Sequence, residues 1–256
     1  MKSKHDIIWL ENIDSTNNEA RRHISTLDNL SVVSALSQKD GRGQQGNSWL
    51  SEAGKNLLFS VVLRLDVQAY DQFVISQMAS LAVIDLLGKY DIEAKIKWPN
   101  DIYVGDMKIC GILIENAVCG KFISHSIVGI GLNVNQKNFD ISLPNPTSMI
   151  LSCPTNPEDD SHDFNIHNLL DEYIDILSEY IDRFCHITGG YNRLNHLYLA
   201  QMWRKDVKSE FIDNTTSPPS QFTGIIRGIS DIGLLSVETT KGELKEFAFK
   251  DISYII

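Results

Sequence analysis

The sequence predicts an α+β fold, in which a mixed β-sheet flanked by helices precedes a small β-barrel. Segments with apolar residues at helical spacing lie between short apolar runs, and turn signals separate those runs. After residue 203 the pattern changes to short alternating segments punctuated by Gly233 and Gly242, which is typical of hairpins closing into a barrel. We therefore expect two domains, residues 1–203 and residues 204–256.

The first third of the chain contains three predicted strands, at residues 7–10, 32–36 and 57–65. Between the first two, Thr16 and Glu19 have the spacing of a capping box, in which each side chain satisfies the other's backbone N–H. The alternative is that this helix start presents free N–H groups and hydroxyls to a polar ligand. Taken alone, the spacing favours the cap.

The middle of the chain alternates predicted helices with hairpins. Helical spacing predicts amphipathic helices over residues 71–90 and 169–184, and a further helix over 191–203. Strands are expected at residues 94–98, 102–104, 108–115 and 121–135, with a Gly105-Asp106 turn. Residues 135–165 are expected to form a surface loop, and the tail strands are placed at 221–229, 234–239, 244–249 and 253–256.

Composition narrows the class of protein. A formal charge of −10, from 23 basic and 33 acidic residues, argues against a nucleic-acid surface. The four cysteines form no C-x-x-C pair, so neither a zinc site nor a disulfide framework is indicated, and buried reduced thiols are expected. No apolar run is long enough for a signal sequence or a membrane span, so we expect a cytoplasmic protein.

The most unusual stretch, residues 37–49, contains Gly41, Gly43 and Gly46, with Arg42 between the first two and Trp49 at its end. Glycines let backbone N–H groups approach a ligand closely, and arginine offers a planar fork of donors to a carboxylate or phosphate. The pattern suggests a loop that closes over an anionic, partly apolar small molecule. Taken alone, however, a glycine-rich stretch favours the alternative, an ordinary hairpin loop with a stray arginine.

A second cluster follows in the hairpin region. Pro99 stiffens a bend that can aim Asn100 and Asp101 into a cleft, where a carboxylate could bind Mg²⁺; the alternative is a capped turn. Lys108 stands before an apolar strand and either reaches water or points its ammonium into a site. Asn133 ends a strand whose glycines permit close ligand approach.

Taken in order, these segments resemble the biotin–protein ligases. The likeness covers about the first 200 residues and consists of five motifs, Asp14-Ser-Thr-Asn17, Gln38-x-x-Gly-Arg-Gly-x-x-Gly-x-x-Trp49, Lys97-Trp-Pro-Asn-Asp101, Lys108-x-x-Gly-Ile-Leu-Ile-Glu115 and Gly129-Ile-Gly-Leu-Asn-Val-Asn135. Each motif alone is weak, whereas five in the same order are specific. The resemblance implies the biotin–lipoate ligase fold, which is similar to class II synthetases, with a C-terminal SH3-like barrel.

The resemblance also implies a reaction. Biotin and MgATP would give biotinyl-5′-AMP and pyrophosphate, and a lysine of a biotin carboxyl carrier protein, in acetyl-CoA carboxylase or a related enzyme, would then accept the biotin. Lys108 and Arg42 would be catalytic, and Asp101 would place Mg²⁺. Biotin would be bound by Ser15, Thr16, Asn17, Gln38, Gly41, Arg42, Gly43, Gln44, Lys108 and Gly111. The nucleotide would be bound by Arg42, Trp49, Lys97, Asn100, Asp101, Lys108 and Asn133.

The chain departs from this family pattern in two places. Many relatives carry a second arginine where this sequence has Gln44, so we expect a weaker grip of the loop on the adenylate. Some relatives begin with a DNA-binding helix-turn-helix domain, for which a first strand at residue 7 leaves no room, so regulatory DNA binding is not expected. The family contains both monomers and homodimers, and the sequence leaves that choice open.

Alternative functions remain at this stage. A lipoate or octanoate ligase or transferase of the same superfamily would need an apolar acyl pocket without ring contacts at the Ser15-Thr16-Asn17 helix start. A non-catalytic biotin sensor would tolerate loss of Lys108. A role resembling that of a tRNA synthetase is the most distant, because the acidic charge balance offers no RNA surface.

Overall fold

A computed structural model describes residues 5–154, 163–185 and 189–256 of the chain. A seven-stranded mixed sheet forms the body, in the order β1-β2-β3-β7-β6-β5-β4. Only β1 and β2 pair in parallel, and the other neighbours are antiparallel. The strands are β1 Ile7–Ile13, β2 Val32–Gln38, β3 Leu57–Leu63, β4 Lys95–Lys97, β5 Asp101–Val104, β6 Met107–Cys119 and β7 Phe122–Leu132. The predicted mixed sheet is confirmed.

Five α-helices accompany the two sheets in the part of the chain that the structure describes, namely α1 Thr16–Arg22, α2 Phe73–Gly88, α3 Met149–Ser152, α4 Ile166–Phe184 and α5 Gly190–Ala200. The expectation that α2 is amphipathic is wrong, because it is buried on nearly every side. It packs against the sheet on one side and against α4 and α5 on the other. A helix enclosed between two layers needs no polar face.

The predicted capping box at α1 is also wrong. Ser15, not Thr16, is the N-cap residue, and its side chain makes no capping hydrogen bond. The Thr16 hydroxyl and backbone N–H both donate to Gln38 Oε1, at 3.3 and 2.8 Å, while Glu19 pairs with Arg22 at 2.5 Å. The start of α1 is therefore tied to the end of β2 rather than closed on itself.

The C-terminal residues form a five-stranded antiparallel sheet in the order β11-β10-β9-β8-β12, consistent with the expected SH3-like domain. Its strands are β8 Lys208–Asp213, β9 Ser220–Ile229, β10 Leu235–Thr239, β11 Leu244–Phe247 and β12 Ile252–Tyr254. Sequence reasoning missed β8, because lysine, serine, glutamate and aspartate occupy most of its positions. Its inward alternation becomes visible only through the burial of Phe211 and Asp213.

Tryptophans join the C-terminal sheet and the chain leading to it to the body. The Trp98 indole N–H donates to Gly233 O at 2.9 Å, and that of Trp203 donates to Gly105 O at 2.8 Å. Trp203 also packs against Tyr103 and Tyr254, with ring centroids 5.3 and 5.7 Å apart. These contacts hold β12 beside the β4–β5 hairpin.

Three smaller expectations have mixed outcomes. The expected loop at 135–165 contains the short helix α3, and residues 155–162 lie outside the described chain. Cys110 is buried as expected, whereas Cys119 is exposed at the turn between β6 and β7. None of the helices in the described ranges has the length and apolarity needed to cross a bilayer.

Candidate active site

One cavity of about 350 Å³ brings together residues that are distant in sequence. Its wall includes the start of α1, the end of β2, the glycine-containing loop, the β5–β6 hairpin and β12. Most of the residues singled out from the sequence line it, namely Ser15, Thr16, Asn17, Gln38, Arg42, Gly43, Gln44, Trp49, Lys97, Asn100, Asp101, Lys108 and Gly111. The structure therefore joins motifs that the sequence shows only as separate segments.

A buried polar cluster lies at the α1 end of the cavity. Ser15, Thr16 and Asn17 are only 2%, 4% and 2% exposed. The Ser60 hydroxyl on β3 is 2.8 Å from Thr16 Oγ1 and 2.6 Å from Asn17 Oδ1. Buried polar groups are costly unless they find hydrogen-bond partners, so this cluster is held in place and can accept only ligands with matching polar groups.

The floor of the cavity is made of strand glycines on β6 and β7. Gly111 and Gly131 face each other in register, and the Trp49 indole lies on both of them. A Cβ at Gly131 would lie 2.5 Å from Trp49 Cε2, and one at Gly129 would lie 2.1 Å from Asn17 Oδ1. The missing side chains thus make room for Trp49 and Asn17. The buried Trp49 Nε1 finds no hydrogen-bond partner among the residues that the structure describes.

Arg42 is carried by a loop with little regular structure. The loop is closed by backbone hydrogen bonds from Gly43 N to Asn47 O and from Trp49 N to Gly41 O, at 2.7 and 2.8 Å. The Arg42 guanidinium donates to Asn18 Oδ1 at 3.0 Å and pairs with Glu115 Oε1 at 3.2 Å. It is 42% exposed, so solvent screens this ion pair.

Lys108 is carried by the β5–β6 hairpin. Its Nζ lies 2.8 Å from Asp101 Oδ1, across a pair of strands whose register is interrupted between Ile102 and Tyr103. Its backbone is fixed on the other side, because Lys108 N donates to Asn145 O and Thr147 N donates to Lys108 O. The ammonium is also 5.7 Å from the Trp49 ring centroid. Lys108 thus reaches the cavity from a rigid base.

Lys97 is enclosed by aromatic rings. Its Nζ donates to the Tyr103 hydroxyl at 3.1 Å and lies 4.8, 5.8 and 5.1 Å from the ring centroids of Tyr103, Trp203 and Tyr254. Burial lowers the pKa of Lys97, and the neighbouring Asp101 charge opposes that shift. The lysine therefore links the cavity wall to β12.

Three predicted residues have positions that differ from the expected ones. The Asn100 side chain is at the cavity but donates to Ile112 O, so it fastens the bend to β6. Asn133 is not in the cavity lining; its Nδ2 donates to Thr147 O at 2.8 Å, and its buried Oδ1 has no hydrogen-bond partner within the described ranges. Gly41 is also outside the lining. It packs against the Trp49 backbone instead, and a Cβ at Gly41 would lie 2.4 Å from Trp49 O.

Sequence reasoning missed two groups of site residues. The C-terminal sheet region contributes Phe249, Ile252, Ser253 and Tyr254 to the cavity wall. No local motif marks these residues, since only tertiary packing brings β12 to the body. Glu115 was visible as the last residue of a motif, but its contact with Arg42 could not be read from spacing.

The described residues contain no group of three or more histidine, cysteine or acidic side chains that could hold a metal ion. Asp101 is the acidic side chain in the cavity wall, and it is already paired with Lys108. One carboxylate fits a Mg²⁺ ion that arrives with substrate phosphates and keeps most of its ligands from them and from water. It does not fit a metal held by the protein alone.

Comparisons with known proteins identify sequences and structures that are similar to this chain. Residues 9–133 match the Biotin/lipoate A/B protein ligase family. Biotin--protein ligase 1, chloroplastic, of Arabidopsis thaliana is 28% identical over 235 residues, which are 90% of this chain and 61% of that protein. Biotin--[acetyl-CoA-carboxylase] ligase of Paracoccus denitrificans is 38% identical over 128 residues, which are 49% of this chain and 53% of that protein. The chain thus spans less than two thirds of the length of both relatives.

Solved structures confirm the fold. The biotin protein ligase from Aquifex aeolicus in complex with biotin and ATP superposes with a TM-score of 0.74 at 24% identity, covering 98% of each chain. The biotin protein ligase from Leishmania major in complex with biotinyl-5-AMP has a TM-score of 0.63 at 19% identity, covering 95% of this chain and 98% of that one. The predicted biotin–lipoate ligase architecture is therefore correct.

Proposed function

We propose that the protein is an ATP-dependent biotin–protein ligase, because residues 9–133 match the Biotin/lipoate A/B protein ligase family. It activates biotin with MgATP to biotinyl-5′-AMP and transfers the biotin to a lysine of a biotin carboxyl carrier protein domain. We place this chemistry in residues 1–203, with residues 204–256 as a second domain that closes one side of the site. The cytoplasm is the proposed location.

The observation that carries the proposal is the shared cavity. It is lined by a buried polar cluster, by strand glycines and by the cationic side chains of Arg42, Lys97 and Lys108. Biotin has a polar ureido ring at one end and a carboxylate at the other, joined by an apolar chain. A ligand of that kind matches a cavity that offers polar, apolar and cationic groups together.

The polar cluster is the proposed site for the ureido ring. Ser15, Thr16, Asn17 and Gln38 offer hydroxyl and amide groups at the cavity wall, and the Ser15 hydroxyl is not used for capping. Gly43, Gln44 and Trp49 line the cavity from the loop, over the strand glycine Gly111. We propose that these residues enclose the apolar chain.

The first step brings two anions together. The biotin carboxylate attacks the α-phosphorus of ATP, a phosphorus–oxygen bond forms, and the bond to the departing pyrophosphate breaks. Arg42 and Lys108 would offset the repulsion between the reactants and stabilise the charge that develops on the phosphoryl oxygens. Lys108 is fixed for this role before the substrates arrive, whereas Arg42 arrives with its loop.

Asp101 is the proposed contact for Mg²⁺, which would neutralise phosphate charge when bound with ATP. Asp101 Oδ1 pairs with Lys108 Nζ at 2.8 Å. Lys97 and Asn100 complete the nucleotide side of the wall, and the Lys97 ammonium reaches it through the rings of Tyr103 and Tyr254. Asn133, placed beneath the Lys108 segment, would support this wall rather than touch the phosphates.

In the second step the neutral amine of a carrier lysine attacks the biotinyl carbonyl carbon. An amide bond forms, the bond to AMP breaks, and the amine loses a proton. The mixed anhydride hydrolyses readily, so the site must exclude water until the carrier arrives. We propose that residues 39–49, the loop that follows β2, open and close over the site.

Mass spectrometry of an apo-carrier domain after incubation with this protein, ATP, Mg²⁺ and biotin tests the proposal. We expect the carrier mass to rise by one biotinyl group, and a carrier with its target lysine replaced by arginine to remain unchanged. A carrier that stays unmodified, with no biotin-dependent pyrophosphate exchange, would refute the function.

The same exchange assay separates the competing activities. Biotin, lipoate and octanoate are compared at matched concentrations, and we expect exchange with biotin to exceed that with either other acid. Faster exchange with lipoate or octanoate would indicate the lipoate branch of the family. Tight biotin binding without exchange would indicate a sensor.

A further inference from the structure

Glu115 lies outside the cavity lining, yet it contacts two of its functional elements. One carboxylate oxygen pairs with Arg42 at 3.2 Å, and the other accepts from Asn17 Nδ2 at 2.9 Å and pairs with Arg21 at 2.5 Å. Its side chain is 26% exposed, less than either arginine. A single strand residue thus connects the loop, the start of α1 and β6.

Asn18 completes the arrangement. Its Oδ1 accepts from Arg42 Nη1 and from Arg21 Nη1, both at 3.0 Å. Each arginine therefore bridges the same two acceptors, Asn18 and Glu115. A guanidinium held at two points has a fixed plane as well as a fixed position, which a single ion pair does not provide.

The arrangement of Arg21, Arg42 and Glu115 carries a net positive charge. Two guanidinium groups share one carboxylate, so Glu115 leaves a net positive charge on this side of the loop. The contacts to Asn18 and Glu115 use two of the five N–H groups of Arg42, and three remain for a ligand. Lys108 differs, because its ammonium is paired directly with a carboxylate, Asp101, that it shares with no other side chain at ion-pair distance among the described residues.

We propose that Glu115 is a positioning residue for the ligase reaction, and this rests on the proposed function. With Asn18 it holds the Arg42 guanidinium in one orientation at the cavity wall, so that its remaining N–H groups meet the anionic reactants. Through Asn17 the same carboxylate fixes the wall of the polar cluster. Loop closure and ring binding are then coupled through one side chain.

A double-mutant cycle tests whether Glu115 acts through Arg42. In biotin-dependent pyrophosphate exchange, Glu115→Gln is expected to lower kcat/KM about tenfold in the natural background, because a loosely held guanidinium is misplaced for most of the time. In an Arg42→Gln background the same change should cost clearly less, because only the contact with Asn17 is then disturbed. Equal losses in both backgrounds would overturn the proposal, as would tighter biotin binding, which would mean that Glu115 competes with substrate for Arg42.

Trypsin cleavage after Arg42 in the ligand-free protein gives a readout that does not depend on activity. Release of the guanidinium should speed this cleavage about threefold or more in Glu115→Gln. The matched control is Glu238→Gln, which removes the carboxylate that pairs with Arg227 at 2.7 Å in the C-terminal sheet and should leave the cleavage rate unchanged. An unchanged rate in Glu115→Gln would overturn the anchoring role.

Two further measurements separate the role of Glu115 from a folding defect and from failure of the proposed function. Asn18→Ala removes the other acceptor of Arg42, and it should give the same direction of change if Glu115→Gln fails to fold. A natural chain without biotin-dependent exchange would refute the proposed function itself. An active natural chain whose variants show additive losses would refute only the role of Glu115.

Discussion

Two of the three cationic side chains that line the cavity, Lys108 and Arg42, are supported in opposite ways. Lys108 stands on β6, with its backbone hydrogen-bonded to Asn145 and Thr147 and its ammonium paired to Asp101 on the neighbouring strand. Arg42 stands on a loop whose own backbone bonds are few, and its side chain is held by Asn18 and Glu115 from other elements. One cation is placed by sheet register, whereas the other is placed by side-chain contacts.

This difference separates two demands on the enzyme. Stabilising charge in a transition state requires a group that is already in position, since reorganisation at that moment costs rate. Admitting substrates and releasing products requires a segment that opens. A lysine on a strand and an arginine on a loop meet these demands separately, and changes at the two sites should have different kinetic signatures.

The largest effect is expected from removing the fixed cation. Lys108→Ala should lower kcat for adenylate formation by about 10²- to 10³-fold, as loss of one preorganised charge commonly does, and should also weaken biotin binding. Lys89→Ala, which removes a surface lysine paired with Glu172, is the control. Pyrophosphate exchange measures both, and a Lys108→Ala protein within about threefold of the natural rate would remove Lys108 from the mechanism.

Removing the cation on the loop should have a smaller effect, which appears mainly as a higher KM. Arg42→Ala is expected to lower kcat/KM for biotin by about 10- to 100-fold, because the Arg42 side chain is more exposed than that of Lys108 and solvent screens its charge more. The comparison with Lys108→Ala uses the ratio of the two losses in kcat. If Arg42→Ala lowers kcat as strongly as Lys108→Ala does, the cation on the strand and the cation on the loop do not have separate roles.

The unfolding free energy of variants at two glycines of the cavity floor tests how firmly the loop is held compared with α1. An added Cβ at Gly129 meets Asn17 Oδ1, which accepts from Ser60 while Asn17 Nδ2 donates to Glu115, whereas one at Gly131 meets the Trp49 ring, which is carried by the loop. Gly129→Ala should therefore cost about 1–3 kcal/mol of unfolding free energy, and Gly131→Ala distinctly less. Urea denaturation of both variants measures the difference, and equal losses would mean that Trp49 is as firmly held as Asn17.

The smallest effect is expected at Gln44. Gln44 lines the cavity but has no charge, so Gln44→Arg should slow the escape of biotinyl-5′-AMP by a few-fold, about one added screened charge contact. Release is followed by trapping the free adenylate from preformed complex. Because Gln44 lies on the loop and not on the strand that carries Lys108, kcat for adenylate formation should stay within about twofold of the natural rate. An escape rate that does not fall would reject the idea that the missing arginine matters.

Much of the fold was readable from the chain. The strand and helix positions of the body follow from apolar periodicity, and the family motifs mark the residues of the cavity wall. The errors lie where tertiary packing overrides local pattern. Thr16 looked like a helix cap but donates to Gln38, and α2 looked amphipathic but is enclosed between two layers. In each case the deciding partner is more than twenty residues away.

The sequence by itself determined the order of elements, the glycines that leave the floor open, and the types of side chain that the chemistry needs. These depend on local backbone freedom and on spacing along one strand or helix, which the chain carries with it. Tertiary structure alone decided that Glu115 anchors Arg42, that Asn133 turns away from the cavity, and that Tyr254 encloses Lys97. Such contacts arise from how separate elements pack, because a few ångströms of displacement between elements decide which polar groups meet.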